Sequence, residues 1–191
     1  MSARQTKGRR RFRRFRRFRR SEDGTATIEF VILFPLIWMA FGMAMEAGMY
    51  TVQNTMLERG LDLTVREVRL GIVKEPNHAL LVTRICANAR LLPNCADSLR
   101  MEMIRANPRA WTAPSGTVRC IDRAEAKPPA ITITNGGNNE LMVLRACILI
   151  KPLMPFAELG RALVDDNPAG EYALTATSSY VMEPFAPKIT R

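Results

Sequence analysis

Few residues in this chain are equipped for chemistry, and their spacing narrows what that chemistry is. The single histidine, His78, excludes His-rich metal centres and histidine proton relays. Ser115, Ser178 and Ser179 therefore have only His78 as a conceivable base, and no Gly-x-Ser-x-Gly, phosphate-binding loop or dinucleotide-binding glycine pattern occurs. Asp122 with Glu125, and Asp165 with Asp166, are the tight acidic pairs; neither has metal-ligand spacing, so both read as solvated turn charges. Cys86, Cys95, Cys120 and Cys147 remain. They form no Cys-x-x-Cys, and intervals of 8, 24 and 26 residues fit no familiar zinc ligand set. In an oxidising compartment they predict two disulfides, most simply 86–95 and 120–147, although four cysteines allow three pairings. Four buried thiols is the competing reading.

The last reactive group is Glu29, a carboxylate inside an apolar run. From Phe30 to Met45 sixteen residues carry no charge, and from Thr25 to Met45 only Glu29 interrupts. About 20 mostly apolar residues cross a bilayer, so the stretch over 25–48 reads as one membrane span. A carboxylate at the bilayer centre costs about 2.5–3.5 kcal/mol on insertion scales, so Glu29 needs either water at the interface or a partner.

The flanks of this stretch are unequal. Residues 1–20 hold ten Arg and one Lys without an acid, exceeding the whole chain's net charge of +10, so the remaining 171 residues carry a net −1. In the head, Phe12, Phe15 and Phe18 alternate with arginine pairs, a low-complexity pattern that cannot pack into a core. Arg59 and Arg66 are the only bases in the twenty residues after Gly48. This asymmetry predicts a cytoplasmic N-terminus and a domain across the membrane, which in a bacterium is the periplasm, where disulfides persist.

Beyond the span, Met49, Val52, Met56 and Leu63, and also Leu57, Leu61, Val68 and Ile72, keep helical spacing up to a stop at Gly71. Asn77 is a candidate N-cap for a second helix whose buried stripe is Leu81, Ile85, Ala89 and Leu92. The period then changes to two: Leu99, Met101 and Met103 alternate with Arg100 and Glu102. Helices are expected over about 49–70, 77–92 and 156–164, and strands over about 98–105, 117–121, 131–134, 140–150 and 171–181. Asn135-Gly136-Gly137-Asn138 is a turn signal, and LMVLRACILI after it reads as a mostly buried strand. Helices first and strands afterwards predict an α+β domain with an antiparallel sheet at 49–191. Within the span Ala40, Ala44 and Gly48 recur every four residues; such small faces let helices approach in lipid, but they are also common in spans.

The stretch RRSEDGTATIEF, a basic leader ending in Gly24 with Glu29 five residues on, resembles the processing site of type IV pilin-like proteins. GTATIEFVILFPLIWMAFGMAMEAG is similar, more narrowly, to the N-terminal signature of the TadE-like family of tight-adherence (Tad) pilus assembly proteins, with Pro35 inside the helix and Glu46 at its acidic end. The ending TATSSYVMEPF, with Ala176, Thr177, Glu183, Pro184 and Phe185, is similar to that family's close. Thr25-Ala26 stands where the family often has Ala directly after Gly. The resemblance implies cleavage after Gly24 by a prepilin peptidase, removal of leader 1–24, and Thr25 as the new N-terminus. It implies a minor pseudopilin-like component without enzymatic activity or cofactor, working with a sister pseudopilin, a major pilin and an inner-membrane platform. It leaves open whether the protein enters the fibre or stays in the membrane. The α-amino group freed at Thr25 would then pair with Glu29 of a neighbouring subunit, each charge compensating the other's burial.

Two other readings compete. A periplasmic enzyme or ligand-binding domain on a signal anchor would need residues assembled only by the fold. Nucleic-acid binding would use the Arg/Phe head, in which arginine meets phosphate and phenylalanine stacks on bases. A basic run beside a span is already explained as a topology anchor drawn to anionic lipid at about 1 kcal/mol per basic residue, so no nucleic-acid partner is expected.

Overall fold

The computed structural model describes residues 25–73, 75–110, 118, 120, 132–164 and 169–184. It divides into two units, Met1–Gly42 and Met43–Arg191. Helix α1 runs over Thr25–Arg69 and continues through Pro35. It is long and apolar enough to cross a membrane.

In the first unit the helical residues from Ile28 to Phe41 present their large apolar side chains to the outside, among them Ile28, Phe30, Leu33, Ile37 and Trp38. A water-soluble helix would bury such a stripe. Phe30, Phe34, Trp38 and Phe41 follow one another along the helix with ring centroids 5.1, 6.1 and 5.9 Å apart.

In the second unit α1 changes character. Leu57, Leu61, Val65 and Val68 are buried at helical spacing and face the core. Val52, Leu63 and Ile72, expected in apolar stripes, are exposed instead. Their spacing is helical, but the core contacts one face only, and that face is taken by the 57/61/65/68 set. The helix stops as a Schellman motif: Gly71 takes φ +69°, its N–H bonds to the Val68 carbonyl, and the Ile72 N–H to the Glu67 carbonyl.

Helix α2 covers His78–Asn88, and the Asn77 side chain caps it by accepting from the Leu80 N–H at 2.9 Å. It ends earlier than 92, yet Ala89 and Leu92 are buried with Leu81 and Ile85. A short helix α3, Cys95–Ser98, follows. The crossing of α1 with α2 is close at Gly60, where a Cβ would stand 2.8 Å from the Ile85 carbonyl oxygen and 3.1 Å from the Ala89 methyl.

Among the described residues the sheet has three antiparallel strands in the order β1 (Leu99–Ala106), β2 (Leu141–Ile150), β3 (Tyr172–Val181), with helix α4 (Glu158–Leu163) between the last two in sequence. This is the α+β arrangement expected. One face, carrying Met101, Met103, Leu144, Ala146, Ile148 and Leu174, completes the core with α1 and α2. The other face carries Arg100, Glu102, Val143, Arg145 and Cys147, and there Glu102 on β1 ion-pairs with Arg145, its direct partner on β2.

One strand expectation differs from the structure and another falls mostly outside it. Of 117–121 only 118 and 120 are among the described residues, and Cys120 is not in a strand; both edges of β2, which carries Cys147, are occupied by β1 and β3. Within 131–134, Ile133 forms one isolated parallel bridge to Met103, on the edge of β1 away from β2, with Met103 N–H to the Thr132 carbonyl and Thr134 N–H to the Met103 carbonyl, both 2.9 Å. The turn before β2 therefore does not close a hairpin with 131–134. It is held by Glu140, which accepts from the Gly137 N–H at 2.6 Å and pairs with Arg105, and these bonds hold its carboxyl below the usual range.

Candidate functional site

The residues singled out in the sequence fall into three places. The first is the start of α1. Gly24 lies outside the described residues, and Thr25 is the first residue of the helix. Glu29, one turn in, is exposed, and among the described residues nothing in the chain pairs with it.

The second is the far end of the apolar stretch, and it is built with more care than the sequence suggested. Glu46 has no exposed surface. Its Oε2 accepts from the Met154 N–H at 2.7 Å and its Oε1 from the Leu153 N–H at 3.2 Å. The donors come from Pro152-Leu153-Met154-Pro155. Proline has no N–H, so these two are the only backbone donors in the tetrapeptide, and both go to one carboxylate. Burying an ionised carboxyl group is costly without such bonds. Downstream of the donors the chain turns at once: Ala157 N–H bonds to the Met154 carbonyl, and Gly160 of α4 packs so closely that a Cβ would lie 2.4 Å from that oxygen.

The same face of α1 continues upward. Tyr50 packs its ring 5.8 Å from that of Tyr172, and Gln53, buried, accepts the Tyr172 hydroxyl at 3.0 Å. Burial, then the charge of Glu46 and the neighbouring Tyr50, pushes the Tyr172 hydroxyl up to about 12, so it stays a proton donor. Sequence reasoning missed Gln53 and Tyr172; the signal was the i, i+4, i+7 spacing of Glu46, Tyr50 and Gln53 on one helix face.

The third place joins the helix to the C-terminal segment. Arg69, the last residue of α1, reaches the Glu183 carboxylate with its Nη2 at 2.8 Å and its Nε at 2.9 Å. Ala176 is buried opposite Ala146, whereas Thr177 is exposed and Phe185 lies outside the described residues. Arg69, Leu141, Tyr180, Met182 and Pro184 border a cleft of about 460 Å³.

The cysteines form Cys86–Cys95 and Cys120–Cys147 bridges, with Cα atoms 5.7 and 5.1 Å apart. The first ties the end of α2 to the start of α3; the second ties Cys120 to the sheet face opposite the helices. His78 opens α2, and Ser178 and Ser179 lie on β3, whereas Ser115, Asp122, Glu125, Asp165 and Asp166 lie outside the described residues. Among the described residues no three His, Cys, Asp or Glu side chains form a metal-sized group.

An apolar helix long enough to cross a membrane thus carries one carboxylate near its start and has its downstream acid tied into the following domain. Residues 24–66 match the TadE-like protein family. The TadE-like segment opens at Gly24, takes in Glu29, Pro35, Glu46, Tyr50 and Gln53, and ends within the buried stripe of α1. That family is associated with the Tad pilus and is not a known enzyme family. No curated protein and no solved structure matches the chain.

Proposed function

We propose that this protein is a pseudopilin-like minor component of the Tad pilus machinery, held in the bacterial inner membrane by residues 25–48 and acting in pilus assembly by helix packing. The observation that carries this reading is that the family match, residues 24–66, takes in the apolar first half of α1, whose large side chains the described residues leave uncovered. Lipid covers them before assembly and neighbouring helices cover them afterwards.

The orientation is N-terminus in, with residues from about 50 onward in the periplasm. The arginine-rich head supports it, and so do two disulfides, which persist in that compartment. A prepilin peptidase cuts after Gly24. The new amine of Thr25 then meets Glu29 of an adjacent subunit, whether a sister pseudopilin, the major pilin or a second copy, on the inner-membrane platform. An exposed Glu29 one turn inside an apolar helix supports this pairing, because the chain supplies no partner for it among the described residues.

Mass spectrometry of the N-terminus, on protein extracted from membranes that contain the peptidase, tests the reading. A mature chain beginning at Thr25 is expected. A chain that retains the arginine-rich leader refutes it. Gly24→Leu should leave the leader in place where the wild type loses it. Glu29→Ala should insert normally and yet yield fewer pili; normal pili would remove the charge-pairing step.

A further inference from the structure

Among the described residues the most exposed large apolar side chain is not in the span but in the folded unit: Phe156, 71% exposed. It belongs to the uncharged run from Pro152-Leu153-Met154-Pro155-Phe156 to Ala157, in which Leu153 is also 52% exposed. A soluble loop ordinarily presents polar side chains, so a short uncharged loop with Leu and Phe turned outward needs something to cover it.

The position of the loop says what that is. Its Leu153 and Met154 N–H groups are bonded to Glu46, the first charged residue after the charge-free stretch Phe30–Met45. The lipid boundary of the span falls where that stretch ends, so a loop bound to Glu46 is held at the boundary. On the same unit Met43 and Met45 of α1 are exposed as well. Exposed bases flank the loop, Lys151 before it and Arg161 on α4 after it, with Glu158 the one acid between them. Aromatic and aliphatic tips with basic flanks suit the zone where acyl chains meet phosphate headgroups.

We propose that the loop Pro152–Phe156 is a second membrane contact: Glu46 clamps it at the end of the span, and Leu153 and Phe156 enter the headgroup–acyl boundary of the same bilayer. The inference rests on the reading of residues 25–48 as a span. Its consequence is that the folded unit is restrained against the membrane surface at two points.

The test places single tryptophans in the full chain carrying Trp38→Phe and Trp111→Phe, reconstituted at high lipid excess in phosphatidylcholine–phosphatidylglycerol vesicles with brominated acyl chains. Phe156→Trp and Leu153→Trp report the loop, Phe41→Trp the span, and Val181→Trp an exposed position on β3. The expected result is loss of emission at 153 and 156, greater with shallow than with deep bromines, deep quenching at 41 and none at 181. Quenching at 41 without quenching at 153 and 156 overturns the proposal alone. Blue-shifted but unquenched emission at 156 also overturns it, because protein then covers the loop. Equal quenching at 156 and 181 overturns it as non-specific adsorption. No quenching at 41 removes the span itself and the inference with it.

Discussion

Replacing Glu46 by Leu isolates the clamp from the span. The change lengthens the apolar run, so membrane insertion should be unimpaired, while the carboxylate that accepts from Leu153 and Met154 disappears. Hydrogen bonds to a charged group contribute about 1.5–3 kcal/mol each. Two of them set an upper limit of about 6 kcal/mol, but the loop can open and return its N–H groups to water, so about 3 kcal/mol is the expected loss. For a chain of this size that corresponds to roughly 6–12 °C in the unfolding midpoint, at about 2–4 °C per kcal/mol. Glu46→Gln keeps one acceptor and turns an amide donor toward the other N–H, so its effect should lie between wild type and Leu. Near-ultraviolet circular dichroism of the full chain in micelles reads the midpoint, and hydrogen exchange at the Leu153 and Met154 amides reads the loop directly. Both amides should exchange faster in Glu46→Leu, with the sheet amides slowed or hastened only as far as global stability dictates. Unchanged exchange at those two positions, beside an unchanged midpoint, would refute the view that Glu46 holds the loop.

Other changes separate the roles of neighbouring residues. Gly60→Ala forces a Cβ to within 2.8 Å of the Ile85 carbonyl, so α1 and α2 must part, at about 1–3 kcal/mol; Gly48→Ala meets nothing within 4 Å and should leave the melting midpoint equal or higher. Cys86→Ser with Cys95→Ser opens a loop with a sequence separation of 9, and Cys120→Ser with Cys147→Ser one of 27, so each pair should lower stability by roughly 3 kcal/mol, the second slightly more, as denaturant midpoints will read. His78 is held below the ordinary histidine value of 6.5, by burial first and by the Arg100 charge second. A lowered folded value means the unfolded chain takes the proton first, so stability is whole above about pH 6.5 and declines as pH falls toward the folded value. His78→Gln should flatten that part of the pH–stability profile, measured as midpoints between neutral and mildly acidic buffers.

What could be read from the residues alone follows from how local each signal is. The charge-free run, the Leu57/Leu61/Val68 stripe, the stop at Gly71 and the cap at Asn77 each depend on one helix and its own periodicity, and each appears in the structure where the pattern put it. Strand neighbours are not local. Alternation marks Leu99–Ala106 and the apolar run marks Leu141–Ile150, but nothing in either states that β2 would be central and that Ile133 would end as a single bridge on the edge of β1. The prolines at 152 and 155 read as chain breakers; their less obvious consequence is that they leave two N–H groups between them for a carboxylate more than a hundred residues earlier. Glu46 was visible as an acid at the end of an apolar helix, but the identity of its partners belongs to tertiary structure.

The two acids of this helix lead to different demands. Glu46 is fully buried and satisfied within its own chain, so its charge makes no call on any other molecule. Glu29 is exposed on a helix whose surroundings are apolar, and the described chain offers it nothing. An intramembrane carboxylate without an internal partner is satisfied by water at the interface or by a cation on another chain. The two outcomes are distinguishable, because Glu29→Gln removes the charge while keeping size and hydrogen bonding. If water satisfies Glu29, the variant inserts and assembles like the wild type. If an amine on a neighbouring subunit does, the variant inserts equally well but its pili fall in number, and an acid restored as Glu29→Asp recovers part of them. That result would make subunit registry depend on a charge pair which neither chain can complete alone.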